Sequence, residues 1–144
     1  MTHSSADIVI VGGAVIGSAI AWFLKREGFG GRVVVVEKDP SYQWCATGRS
    51  VASYRQQFST PENIQLSQFG ATFFRDVAEW LGPDVDIARR ERGYLVMATP
   101  EGRATLEANV ALQLKLGADT ALLEPDEIAR QFPWLDTQGL GAAG

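Results

Sequence analysis

A glycine-rich turn between an apolar run and a helical pattern constrains the fold of this chain most strongly. The apolar run Asp7–Val11 leads into residues 12–17, which have the sequence GGAVIG. Apolar residues then recur at helical spacing from Ala14 to Glu27, and Gly28 follows as a helix-ending residue. The run Arg32–Glu37 contains four consecutive valines. This order predicts a right-handed, parallel βαβ unit whose two strands are buried on both faces.

The turn has the spacing of a loop that binds the phosphates of a dinucleotide. Gly12 allows the tight turn out of the strand, and Gly17 lets the helix pack closely on it. The N–H groups and the dipole at the start of the helix then bind the phosphates. Ala14 stands where the backbone must approach a pyrophosphate and adds one methyl group, while Gly13 beside it keeps the turn flexible. We expect the loop to bind a nucleotide in spite of Ala14.

An acidic residue ends the second predicted strand. Glu37 follows the glycine turn by about 20 residues, the distance at which a carboxylate accepts hydrogen bonds from the adenosine ribose. The same carboxylate repels a 2′-phosphate, which disfavours an NADP-type ligand, although Lys38 weakens this argument. The alternative is a purely structural βαβ turn with a solvated glutamate. The loop and Glu37 do not separate FAD from NAD.

Composition excludes several classes of function. The chain has 144 residues and a net charge of −4, which favours neither nucleic acid nor an anionic membrane as a partner. One cysteine permits no internal disulfide, and one histidine makes a His-based triad or metal site improbable, so no metal is expected. No run of 18 apolar residues and no signal-peptide pattern occur, so we expect no membrane span. Together these features predict a cytoplasmic location.

The remainder of the chain predicts further elements and an incomplete fold. Residues 38–59 are polar and weakly periodic, which is typical of a functional loop. Two strands are few for a parallel sheet. The final residues, GLGAAG, predict no strand or helix that would complete the fold. We therefore expect part of a larger protein, with domains at 1–85 and 86–144. The predicted later elements are a helix from Thr60 to Gly82, a strand at 93–99, a helix over Pro100–Leu116, a strand at 120–123 and a helix over Pro125–Gln131.

Several segments together resemble a known family. They are DIVIVGGAVIGSAIAWFLKREG, VVVVEKD, CATGRSVASYRQQFSTPENIQLSQFG, GYLVMATPEG and LLEPDEIARQFPWLDTQGLGAAG. The family is that of the FAD-dependent oxidoreductases of the D-amino-acid oxidase type, which includes glycine oxidases, sarcosine oxidases and dimethylglycine-type dehydrogenases. The resemblance covers nearly the whole chain but only the N-terminal third of a typical member. It implies an α/β fold, a Rossmann-like FAD-binding βαβ unit followed by the start of an α+β substrate domain.

The resemblance implies FAD as the cofactor and assigns it a set of residues. The loop that wraps the FAD pyrophosphate comprises Gly12, Gly13, Ala14, Val15, Ile16 and Gly17. Glu37 matches the acid on the adenosine ribose, and Lys38 matches the residue beside the adenine. The segment that returns to the pyrophosphate comprises Thr47, Gly48, Arg49 and Ser50. The turn that approaches the flavin ring comprises Val51, Ala52, Ser53 and Tyr54.

The resemblance also implies amine chemistry. Arg55 lies where sarcosine-oxidase-like members place an arginine near the substrate carboxylate, and the substrate is a small amine or amino acid. Arg55 is alternatively a loop-stabilising or phosphate-facing arginine, and Arg49 alternatively a solvated one. The family's later strand, its second FAD contact and most of its substrate pocket have no counterpart here. The missing C-terminal part or a partner is therefore expected to complete the FAD site. The remaining alternatives are a nucleotide-binding module without catalysis and an NAD-dependent enzyme.

Overall fold

The computed structural model describes residues 5–144 of the chain. Over these residues the secondary structure alternates between strands and helices in the first third and is mostly helical afterwards. In chain order the elements are β1 (Ile8–Val11), α1 (Val15–Arg26), β2 (Val33–Val36), α2 (Pro61–Arg75), α3 (Val77–Leu81), β3 (Met97–Ala98), α4 (Arg103–Lys115), α5 (Pro125–Gln131) and β4 (Ala142–Ala143).

The chain divides into two compact units. The first ends at Ser53, and the second spans Tyr54–Gly144. The boundary between the units lies before the predicted domain boundary at residues 85 and 86, which stays a prediction about the protein as a whole. The first unit contains the glycine turn, and the second contains Arg55.

The first unit is the predicted βαβ arrangement. Strands β1 and β2 pair in parallel, with Ile8 opposite Val33 and Val11 opposite Val36. Helix α1 connects them, and Gly28 follows it with a positive φ of 83°. Glycine adopts this left-handed conformation at little cost, so it ends the helix as the sequence predicts. The α/β, Rossmann-like fold class is confirmed.

The predicted burial of these strands on both faces is wrong for the described chain. Ile10 is only 8% exposed, but Val11 is 87% exposed and Val36 is 51% exposed. The reason is geometrical, because a single helix such as α1 covers one face of a two-stranded sheet and leaves the other face open. Runs of valine without alternation are typical of a sheet covered on both faces. The sequence pattern is therefore typical of a larger sheet than these two strands form.

The second unit packs helices around a small antiparallel pair. Strand β4 pairs with β3, placing Ala143 opposite Met97 and Ala142 opposite Ala98. Its buried cluster consists of Leu106 and Val110 from α4 together with Ala142. The prediction that GLGAAG supplies no closing element is therefore wrong. The small side chains of β4 let it lie directly against α4, a fit that local sequence patterns do not show.

Other predicted elements differ in extent. The helix predicted from Thr60 to Gly82 is divided at Asp76, which ends α2 and precedes α3. The strand predicted at 93–99 is reduced to β3, and the one predicted at 120–123 is reduced to an isolated bridge between Leu123 and Ala143. These strands are short because β4, the partner they share, has only two residues. The helix Pro125–Gln131 is confirmed as α5.

Candidate functional site

The glycine turn brings β1 and α1 into direct contact. Gly12 has a positive φ of 98°, and its N–H donates to the carbonyl of Val36 at 2.8 Å. A Cβ atom on Gly17 would lie 1.8 Å from the carbonyl oxygen of Gly12 and 3.2 Å from Ile10 Cγ2. No side chain fits there, so glycine at residue 17 is required for the close approach of the helix to the strand.

Ala14 does not disturb the turn. It precedes the first residue of α1 with φ −70° and ψ −167°, an extended conformation that any residue adopts. No side chain of the described residues caps this end of α1, and its first turn contains no acid. The N–H groups at the start of the helix, beside the exposed Val15 and Ile16, therefore present a positive end to a phosphate.

The carboxylate of Glu37 is held against the glycine turn. Its Oε2 accepts the N–H of Gly13 at 2.7 Å, and its Oε1 accepts the N–H of Asp39 at 2.9 Å. These two bonds, that of Gly13 foremost, lower the pKa of Glu37, so the side chain is an anion at neutral pH. Each oxygen keeps acceptor capacity beyond the one N–H that it binds, which suits it to ribose hydroxyls.

Tyr42 is a contact of the turn that sequence reasoning missed. A Cβ on Gly13 would lie 2.8 Å from Tyr42 Oη, 3.3 Å from Glu37 Cβ and 3.5 Å from Val35 Cγ1. Gly13 is buried, so this crowded face explains why glycine occupies the position. One tyrosine in a polar loop carries no pattern that predicts such a contact.

The segment after Glu37 is an exposed loop. Lys38 lies at its start and Ser53 at its end, and both are exposed. Thr47–Arg49 form a single 3₁₀ turn, within which the N–H of Gly48 donates to Cys45 Sγ at 3.3 Å. The guanidinium carbon of Arg49 lies 4.7 Å from the ring centre of Trp44. Arg49 is thus held by a cation–π contact.

The turn predicted to approach the flavin has an unusual backbone. Ala52 has a positive φ of 50°, and its N–H donates to Ser50 Oγ at 3.1 Å. Val51 before it is 88% exposed. The FAD contacts assigned to residues 47–54 stay predictions, and strained backbone of this kind occurs at ligand-binding sites.

Tyr54 and Arg55 belong to the second unit. The hydroxyl of Tyr54 accepts a hydrogen bond from Arg89 Nε at 2.7 Å, and its ring packs 5.1 Å from that of Phe74. The guanidinium of Arg55 lies over Phe58 at 5.2 Å and over Tyr94 at 5.9 Å. The flavin contact predicted for Tyr54 and the substrate contact predicted for Arg55 stay predictions.

Arg55 lines a cavity of about 190 Å³ within the second unit. Gln57 and Gln113 line it too, and Gln113 is only 3% exposed. The amide nitrogen of Gln113 donates to the carbonyl of Phe58 at 3.0 Å. The amide oxygens of both glutamines have no hydrogen-bond partner among residues 5–144. The residues that line the cavity therefore include one guanidinium and two amide oxygens without a partner, which are groups that bind small polar molecules or water.

Two further kinds of site were sought over the described residues. Among residues 5–144, no three or more His, Cys, Asp or Glu side chains are grouped so as to hold a metal ion. Within the same range, every helix is too short or too polar to span a bilayer.

Comparison with protein families decides the identity of the dinucleotide. The family model described as "FAD dependent oxidoreductase" (DAO) matches residues 7–144. The chain belongs to this family. FAD is therefore its cofactor, while the contacts of the Gly12–Gly17 turn and of Glu37 with the dinucleotide stay predictions. The glycine-only contact at Gly17 and the uncapped start of α1 fit a bound pyrophosphate.

Relatives of this DAO-family chain are longer proteins. The FAD-dependent oxidoreductase domain-containing protein 1 of Bos taurus is 43% identical over 145 residues, covering 96% of this chain and 30% of that protein. The protein of the same name from Xenopus laevis is 45% identical, covering 96% and 29%. A Drosophila melanogaster homolog is 43% identical, covering 96% and 27%. The chain thus spans less than a third of the length of these relatives.

A solved structure is similar to the whole described fold. L-proline dehydrogenase from P. horikoshii superimposes with a TM-score of 0.77 at 27% sequence identity. The match covers 97% of this chain and 36% of that one. The similarity confirms the mixed helix and strand architecture and an oxidoreductase family, and it again places this chain over one part of a larger protein.

Proposed function

We propose that this chain is the N-terminal FAD-binding part of an oxidoreductase that oxidises an amino acid or a secondary or tertiary amine. FAD, when bound, accepts a hydride equivalent from the carbon beside the amine nitrogen. The observation that carries the proposal is the hydrogen bond from the Gly13 N–H to the Glu37 carboxylate. It lies beside the uncapped start of α1, in a chain of the DAO family.

The first unit supplies the groups that bind the adenosine half of FAD. The start of α1 faces the pyrophosphate with its N–H groups and its dipole. The anionic Glu37 accepts the ribose hydroxyls and repels a 2′-phosphate. Lys38 lies beside the adenine, residues 47–50 return to the pyrophosphate, and residues 51–54 approach the flavin ring.

The amine class of substrate is supported by two observations. The similar solved structure is named an L-proline dehydrogenase, and proline is a secondary amine with a carboxylate. The guanidinium of Arg55 lies over the rings of Phe58 and Tyr94, and the residue is exposed. An exposed guanidinium can bind a carboxylate through two hydrogen bonds. Arg55 accordingly orients the substrate, and it neither donates nor removes a proton.

The rest of the protein completes the site in this proposal. The chain spans about 30% of the length of its bovine relative, and valines of β1 and β2 are left exposed. Additional polypeptide that covers these strands also encloses the flavin. The proposed partners are thus a small amine or amino acid and the remainder of the protein, with no nucleic acid. A cytoplasmic location stays a prediction, which fractionation of the source cells tests.

Purification of the complete protein tests the proposal directly. We expect a yellow protein with flavin absorbance at about 450 nm. Under anaerobic conditions, at least one amine among proline, sarcosine and D-amino acids should bleach this absorbance. Arg55→Lys is expected to raise the KM for a carboxylate-bearing amine more than it lowers kcat. A colourless protein that also fails to take up FAD contradicts the proposal. Uptake of FAD without bleaching by any amine contradicts the substrate class alone.

A nucleotide-binding module without catalysis is the second candidate. It is favoured by the open face of the two-stranded sheet, where Val11 is 87% and Val36 is 51% exposed. For the isolated chain we expect weak FAD binding and no amine oxidation. Robust turnover by the isolated chain contradicts this expectation. Parallel titration of the complete protein with FAD and NADH separates both candidates from an NAD-dependent enzyme.

A further inference from the structure

None of the roles assigned above to the loop after Glu37 requires an aromatic side chain at Tyr42. Its hydroxyl oxygen occupies the space beside the α-carbon of Gly13, 2.8 Å from the position of a Cβ there. Glu37 borders the same space with its Cβ and accepts the Gly13 N–H with its carboxylate. Gly13 is therefore held from two directions, by the side chains of Glu37 and Tyr42.

The backbone at Tyr42 is held in an uncommon conformation. Its φ of 56° lies in the left-handed region, which is unfavourable for a residue with a side chain. Two backbone bonds maintain it, since its N–H donates to the carbonyl of Asp39 at 3.0 Å and its carbonyl accepts from Cys45 N–H at 3.1 Å. Tyrosine is an unfavourable choice for this position unless its side chain contributes elsewhere.

A series of hydrogen bonds connects the loop of Tyr42 to the carboxylate of Glu37. Glu37 Oε1 accepts the N–H of Asp39 at 2.9 Å. Asp39 Oδ1 in turn accepts both the N–H of Ser41 at 3.0 Å and its hydroxyl at 2.6 Å. The orientation of the carboxylate and the position of the tyrosine are consequently set by one hydrogen-bonded segment, residues 37–45.

We propose that Tyr42 is a positioning residue of the FAD site, which keeps Glu37 and Gly13 in the arrangement that recognises the adenosine ribose. The inference rests on the proposed contact of Glu37 with the ribose. The hydroxyl of Tyr42 and the Cβ of Glu37 border the same face of Gly13, so the tyrosine fills the space into which the turn would otherwise shift. Loss of the hydroxyl lets the turn and the carboxylate shift. The affinity for the ribose then falls more than the affinity for the phosphates.

Ribose selectivity tests the proposal without any turnover. ADP and 2′-deoxy-ADP are titrated calorimetrically into the flavin-free complete protein, and the ratio of their dissociation constants is compared among variants. We expect the wild type to prefer ADP about tenfold, as for one hydrogen bond to a charged group. Tyr42→Phe is expected to reduce the preference to about threefold or less, and Glu37→Gln to abolish it. Trp134→Ala, which alters an exposed aromatic residue of the second unit, should match the wild type.

The outcomes separate this inference from the proposed function. Failure of the wild type to bind ADP, or indifference of Glu37→Gln, removes the proposed function on which the inference rests. A wild-type preference for ADP that Glu37→Gln abolishes and Tyr42→Phe leaves intact removes the role of Tyr42 alone. Equal weakening of both nucleotides in Tyr42→Phe indicates a structural role only, and it overturns the positioning role.

Stability measurements supply a second, independent test. Gly13→Ala introduces a Cβ that meets Tyr42 Oη, so its cost in melting temperature should be smaller when combined with Tyr42→Phe. Tyr42→Gly relieves the left-handed backbone and is expected to keep the melting temperature while ribose selectivity is lost. Strictly additive effects of Gly13→Ala and Tyr42→Phe contradict the contact. Retained selectivity in Tyr42→Gly contradicts the positioning role.

Discussion

Glu37 Oε2 accepts the N–H of Gly13 at 2.7 Å, which ties the end of β2 to the turn that follows β1. The bond is charge-assisted, because the same carboxylate is kept ionised by this N–H and by that of Asp39. A ligand that contacts Glu37 is thereby coupled to the backbone of the glycine turn.

Glu37→Gln should weaken FAD binding to the complete protein about tenfold. The amide retains one acceptor oxygen, but it carries no charge, and its nitrogen cannot accept the N–H bonds that the carboxylate accepts. Fluorescence titration of the flavin-free protein with FAD measures the change. Glu27→Gln, at the other end of α1 and exposed, is the control and should bind like the wild type. An unchanged affinity in Glu37→Gln argues against its contact with the ribose.

The stabilising effect of Glu37 should depend on pH. Its folded-state pKa is lowered, chiefly by the Gly13 N–H, below the ordinary glutamate value of about 4.3. The contribution is therefore fully present above pH of about 5 and is lost as pH falls through the lowered pKa. Melting temperatures of the wild type and Glu37→Gln, measured from pH 7 to pH 3, should differ at neutral pH and converge in acid. A constant difference across this range contradicts the expectation.

Gly17→Ala should destabilise the first unit by about 3 kcal/mol or prevent its folding. The added Cβ would lie 1.8 Å from the carbonyl oxygen of Gly12, and backbone on both sides must move. Gly70→Ala is the matched control, because Gly70 lies within α2 and a Cβ there meets nothing within 4 Å. That control should be more stable than the wild type by about 0.5–1 kcal/mol. Urea denaturation measures both, and similar midpoints for the two variants refute the explanation.

Arg103→Lys should lower the melting temperature of the second unit by a few degrees. Arg103 binds both carboxylate oxygens of Glu124, at 2.5 and 2.8 Å, and donates to the carbonyl of Gly141 at 2.9 Å. Lysine keeps the charge, but it cannot reproduce the planar, two-bond geometry. The loss should persist in 0.5 M salt, because the directional bond to the carbonyl is not screened as a simple charge pair is.

Arg75→Lys provides the comparison for Arg103. Arg75 pairs with its sequence neighbour Asp76 and is 58% exposed on its side chain, so its replacement should change the melting temperature little. A loss in Arg75→Lys as large as that in Arg103→Lys indicates a general cost of replacing arginine by lysine, and it contradicts a specific role for the connection from α4 to Glu124 and Gly141. Thermal unfolding followed by circular dichroism distinguishes these results.

Local patterns were sufficient for the first unit. The glycines of residues 12–17, the helical spacing after them and the valines of β2 predict β1, α1 and β2 in the order in which they occur. Each signal lies within a few residues of the structure that it specifies. Glycine is required at residue 17 because a Cβ there would collide with the carbonyl oxygen of Gly12. Local patterns also predicted α5, where Pro125 starts the helix and Glu124 completes a capping box with Glu127.

The sequence pattern was misleading where the structure depends on distant partners. GLGAAG has no strand-like side chains, yet Ala142–Ala143 pair with Met97–Ala98 and are completely buried. Short strands of alanine are stabilised by the helix and strand that cover them, and nothing in their own composition indicates this. The predicted break-free helix from Thr60 to Gly82 failed similarly at Asp76, since helix ends depend on surrounding packing as well as on propensity.

FAD was implied by the family resemblance and shown by the match to the family model. The sequence by itself determined the βαβ unit and the acid at the end of the second strand. These follow from backbone sterics and from periodicity, which neighbouring residues specify. Only the tertiary structure decided that the Glu37 carboxylate binds Gly13, that Tyr42 closes the same turn and that the final strand lies beneath α4. Such contacts join residues far apart in the chain, and their geometry depends on how whole elements pack together.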